Sequence, residues 1–81
     1  MTKEQLLDFI NCGREIEFQF NGKRYSITYG LIDNKEVISF CEFYQYTTEV
    51  TTCDELLRVS RGGVTVEEML KNLSEEDVWI F

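Results

Sequence analysis

The chain has no histidine and no proline among its 81 residues, and only three cysteines. Without histidine there is no imidazole to serve as a general base or as a nitrogen ligand for zinc. Cys12, Cys41 and Cys53 lack the paired spacing of a tetrahedral thiolate site, and an odd count does not suit a secreted disulfide framework. They read as three reduced thiols. No apolar run approaches the ~20 residues needed to cross a bilayer, and the amino terminus, MTKEQLLDF, carries acids and amides where a signal peptide would be apolar. The expectation is a soluble cytoplasmic protein that needs neither metal nor cofactor.

Bases are scarce too. Lysine and arginine total 8 against 15 acids, a net charge of −7. The first 35 residues balance at five acids and five bases, whereas residues 36–81 hold ten acids against Arg58, Arg61 and Lys71. Such a surface argues against direct nucleic-acid binding, which draws on cationic side chains to release counterions. The composition, 43% hydrophobic and 14% aromatic, excludes a disordered acidic tail and fits one small α+β domain over residues 1–81.

The most informative stretch is EIEFQFNGKRYSIT, from Glu15 to Thr28. Two alternating runs meet at Asn21-Gly22, which accepts the two positive φ angles of a type I′ hairpin turn. That turn sets Phe20 opposite Lys23, Gln19 opposite Arg24, Phe18 opposite Tyr25 and Ile16 opposite Ile27. A second turn at Asp33-Asn34 sets Tyr29 opposite Ile38, Thr28 opposite Ser39, Ile27 opposite Phe40 and Ser26 opposite Cys41. Both turns bury the same face, which predicts a three-stranded antiparallel meander. Glu15, Glu17, Gln19, Arg24, Ser26, Thr28 and Ser39 form its wet face, where no ring is expected. Past Cys41 the alternation fails. Glu42 would point inward opposite Tyr25 unless a bulge near Glu42 and Phe43, or an edge position, releases it.

Three helices are capped in the sequence. Thr2 with Gln5 forms a capping box ahead of Leu6, Leu7, Phe9 and Ile10, and Gly13 stops that helix. Thr52 with Glu55 opens a second through Leu56, Leu57 and Val59, ended by Gly62-Gly63. Thr65 with Glu68 opens a third, whose Val66, Met69, Leu70 and Leu73 keep helical spacing. Ser74 to Asp77 reads as a turn. Val78 to Phe81 is apolar throughout and either adds a fourth strand or docks on the core. The expected fold is α+β: an N-terminal helix, a three- to four-stranded antiparallel meander, and two short C-terminal helices packed on one sheet face.

Chemistry is sparsely provided. Glu67-Glu68 and Glu75-Glu76 are adjacent carboxylates on exposed first turns, where they favour the helix dipole more than acid–base work. The DNKE segment supplies too few oxygens for a hard cation. Ser60-Arg61-Gly62-Gly63 superficially resembles an anion cradle, but it follows a helix and lacks the longer glycine pattern of a phosphate loop, so a helix C-cap is expected. Phe43, Tyr44 and Tyr46, with Trp79 and Phe81, read as core or edge packing or as anchors for a protein partner. The segments GREIEFQFNGKRYSI, VISFCEFYQ and DELLRVSRGG resemble a group of small uncharacterised proteins from Gram-positive bacteria; the resemblance implies a bacterial cytoplasmic origin and carries no assigned activity.

Three functions follow as expectations. The first is a non-catalytic protein-interaction or regulatory module, with Phe43, Tyr44, Tyr46, Glu67, Glu68, Glu75 and Glu76 as candidate contact residues and a basic protein as one candidate partner. The second is an acidic DNA mimic that inhibits a nucleic-acid-binding protein. The third is a thiol-dependent enzyme using Cys41 or Cys53.

Overall fold

Residues 1–43 and 47–81 are described by a computed structural model. Helix α1 spans Lys3–Asn11 behind the Thr2–Gln5 capping box, and Thr2 Oγ1 accepts the Gln5 N–H at 3.1 Å. It ends as the sequence requires. Gly13 takes φ +70°, its N–H donates to Ile10 O, and the Arg14 N–H donates to Phe9 O, the paired closure of a left-handed cap.

Strands β1 (Ile16–Phe20), β2 (Lys23–Ile32) and β3 (Lys35–Glu42) form the expected meander in the expected register. Asn21 and Gly22 sit at φ 51° and 76°, and Asp33 and Asn34 at 51° and 65°, so both turns carry the positive pair of type I′. Two further strands extend the sheet. β4 (Thr47–Val50) pairs with β3. After the second and third helices, β7 (Val78–Ile80) returns to pair antiparallel with β1, giving the order β4-β3-β2-β1-β7. Among the described residues the sheet therefore has five strands, one more than the upper expectation, and Val78 to Ile80 form a strand.

Helix α2 (Cys53–Arg58) begins at Thr52, which accepts the Glu55 N–H, and α3 (Val66–Lys71) begins at Thr65, which accepts the Glu68 N–H. Between them the sequence reading fails. Gly62-Gly63 does not cap α2, which ends at Arg58. The two glycines, at φ 62° and 81°, turn a small hairpin of β5 (Ser60–Arg61) and β6 (Val64–Thr65). A glycine pair satisfies a helix end and a type I′ turn equally well, so composition does not separate them. Glu75–Asp77 form one turn of 3₁₀ helix ahead of β7.

The helices cover one face of the sheet. Leu6 and Ile10 of α1, Leu56 and Leu57 of α2, and Val66, Met69 and Leu70 of α3 join Ile16, Phe18, Tyr25, Ile27, Ile38 and Phe40 in one core. The rings of Phe18, Tyr25 and Phe40 stack with centroids 5.2 to 6.3 Å apart. No polar or charged residue is buried among the described residues. Nor, among them, is any helix long and apolar enough to cross a membrane.

No bulge interrupts the ladder at Glu42. It stands opposite Tyr25, and its carboxylate lies 3.6 Å from the Lys23 ammonium at the end of the inner face. The charge is met there by a base, so the register need not change.

Candidate functional site

The outer face of the sheet is left open by the helices, and its alternation brings together side chains far apart in sequence. Trp79 of β7 stands opposite Glu17 of β1, and Glu17 stands opposite Ser26 of β2. Arg24, one step along β2 on the same face, reaches back between them. Its guanidinium carbon lies 4.6 Å from the centre of the Trp79 ring and 5.6 Å from that of Phe43, and its Nη2 is 3.6 Å from the Glu17 carboxylate. The expectation of a ringless wet face is thereby corrected. A cation held against an indole contributes about 0.5–1 kcal/mol at an exposed position, enough to order the side chains without burying them.

Trp79 remains 37% exposed and Phe81, beyond it on the same face, 62%. Phe81 is fixed through its backbone: its N–H donates to Glu15 O at 2.8 Å, and its carbonyl accepts from Arg14 Nε at 2.6 Å. The result is a rim of rings along the β7 side. Beside it, Glu15 and Glu17 lie close together. A side-chain hydrogen bond to Glu17, then partial burial and the Glu17 charge, push the Glu15 carboxyl above its ordinary value. A second exposed apolar place is the tip of the β2–β3 hairpin, with Leu31 67% and Ile32 46% exposed.

The expected contact residues do not gather in one place. Glu67 and Glu68 border a cleft between α2 and α3, where bases interleave with acids. Lys3 Nζ is 2.5 Å from Asp54 and Lys71 Nζ is 3.7 Å from Glu67, and Arg58 lines the same cleft. The Lys3 hydrogen bond, followed by its charge, holds the Asp54 carboxyl below the usual range. Glu75 lies elsewhere, in a groove between α1 and β7. Phe43 joins the Arg24 stack; Tyr44 and Tyr46 lie outside the described residues.

Arg61 makes no anion cradle. Its guanidinium carbon lies 5.4 Å from the Phe40 ring centre, its Nη1 donates to Ser60 O, and its Nη2 donates to Thr48 Oγ1. The side chain closes the β4 end of the core.

The three thiols are free: Cys12 exposed, Cys41 half-buried on the outer face, Cys53 buried at the start of α2. Burial raises the Cys53 thiol, contrary to what a nucleophile needs. Among the described residues, no group of three or more His, Cys, Asp or Glu is placed to hold a metal ion.

The sequence puts Arg24 and Glu17 on this face and offers Trp79 as a candidate partner anchor, but does not place Trp79 beside them. The signal needed was the β1–β7 pairing, which joins residues at opposite ends of the chain. No family model, curated protein or solved structure matches the chain.

Proposed function

We propose that the chain is a non-catalytic module that binds another protein and regulates it, and that it meets that protein with the open sheet face around Trp79, Arg24 and Phe43. The observation that carries this reading is the Arg24 guanidinium held between two rings on a face the helices leave uncovered. Tryptophan and arginine are the residues most enriched at interface hot spots. Here they are ordered beforehand, which lowers the cost of binding. The absence of histidine and the raised, buried Cys53 thiol turn the reading away from a thiol enzyme. The DNA-mimic alternative draws on net charge, and around Glu67 and Glu68 that charge is interrupted by Lys3, Arg58 and Lys71. A bacterial cytoplasmic setting forms part of the proposal.

The test is affinity capture from bacterial lysate with the parent, Trp79→Ala and Arg24→Ala chains. A discrete protein retained by the parent and lost by both variants, while both still melt cooperatively, supports the reading. Capture that survives both changes removes the open face from it.

A further inference from the structure

Strand β7 is an edge. Among the described residues its only strand neighbour is β1. The Phe81 N–H donates to Glu15 O, so residues 15 and 81 form a hydrogen-bonded pair. Antiparallel alternation makes 17 and 79 the next such pair and turns the backbone of residues 78 and 80 away from β1. The Val78 N–H is taken by Glu75 O. What faces outward is the Val78 carbonyl and both the N–H and the carbonyl of Ile80, a template for one more strand.

A groove runs beside that edge on the inner side of the sheet. It has a volume of about 280 Å³, and Met1 and Phe9 of the α1 segment, Leu73, Val78 and Ile80 give it apolar walls. Glu75 lines it as well, and Glu76 and Asp77 follow directly before β7. On the outer side the same edge carries Trp79 and Phe81, both exposed. A strand laid along β7 would therefore send alternate side chains into the groove and against the two rings.

We propose that the β7 edge accepts an extended segment of a partner protein as a sixth strand, with apolar side chains at alternate positions entering the groove and lysine or arginine meeting Glu75, Glu76 and Asp77. The inference rests on the protein-binding reading above and states how the partner is held. Charge selects this occupant over a second copy of the chain. A second copy would bring another −7 and the same acidic run to the interface, whereas a basic segment is attracted to it. Three outward backbone groups give register and modest affinity; the groove and the rings supply the remainder.

The probe is a displayed library of random dodecapeptides selected on the full chain, followed by synthesis of the enriched sequence and titration into ¹⁵N-labelled protein. The enriched peptides should alternate apolar residues and carry lysine or arginine, and the synthetic peptide should shift the Ile80 amide. N-methylating the peptide amides that face β7 should weaken binding at least tenfold, while methylating those that face away should leave it unchanged. Phe9→Ser should weaken the peptide in the same assay, and the methylated peptides supply the answer without altering the protein should that variant fold poorly. Equal binding of the two methylated series overturns the inference, as does enrichment of sequences without alternation or of none. Shifts centred on Arg24 and Phe43, with Ile80 unmoved, also overturn strand addition but leave the protein-binding reading standing. A concentration-dependent shift of Ile80 without peptide assigns the edge to a second copy instead. The broader reading falls separately, if the lysate yields no partner.

Discussion

The two faces of the sheet carry similar residues put to different use. On the inner face Phe18, Tyr25 and Phe40 touch one another, are at most 3% exposed, and lie under three helices. On the outer face Trp79 and Phe43 touch a guanidinium, and Trp79 and Phe81 keep much of their surface in water. Apolar area removed from water stabilises the fold by roughly 25 cal/mol per Å². Area left exposed adds nothing to folding and is available to a partner. A ring's role in this molecule is thus set by which side of the pleat it occupies.

The sharpest way to break that comparison is to truncate one ring from each face. Phe40→Ala should cost about 3–5 kcal/mol, a large part of the 5–15 kcal/mol typical of a domain. Trp79→Ala should cost less, at most about 2 kcal/mol, from the exposed cation–π contact and the part of the indole already covered. Urea midpoints at equal slope measure both, and equal losses would mean the outer face is structural after all.

Next in size is the turn that decides which side each residue takes. Gly22 has φ +76°, and a Cβ built there meets nothing within 4 Å. Gly22→Val should therefore cost about 1–3 kcal/mol through backbone strain alone. A variant that melts within a degree or two of the parent would contradict the type I′ turn.

These local features were legible in the sequence because each is written within a few residues: two turns, three N-caps, and an alternation that fixes register. What was not legible is non-local or degenerate. Val78 to Phe81 shows no alternation of polarity, so its sequence leaves a strand and a docked tail equally open, and its partner β1 lies some sixty residues earlier. The Trp79–Arg24 contact depends on that pairing and was hidden with it. Gly62-Gly63 suits two structures equally. The inward position of Glu42 suggests a bulge or an edge, because its pairing with Lys23 shows only in the three-dimensional sheet.

Thiol chemistry gives a smaller, kinetic contrast between environments. Iodoacetamide at mildly alkaline pH should modify exposed Cys12 first, half-buried Cys41 more slowly, and buried Cys53, whose thiol is raised, last. Peptide mapping follows the order; early labelling of Cys53 would contradict its burial.

The smallest expected effect on stability comes from the acids. Glu67→Gln, Glu68→Gln, Glu75→Gln and Glu76→Gln together should leave the melting temperature unchanged or slightly raised, since exposed ion pairs contribute little and the chain carries excess negative charge. The same variant should slow association with a basic partner through lost steering. A falling melting temperature would show that these carboxylates serve the fold.

The most direct test of the account pairs folding with binding on one residue. Trp79→Ala and the parent are compared in thermal melting and in affinity for the protein captured from lysate. The account predicts a cooperative melt lowered far less than that of Phe40→Ala and an affinity reduced at least tenfold, the scale of about 1.4 kcal/mol or more for a hot-spot residue. Unchanged affinity would contradict it, because the open face would then not serve the partner.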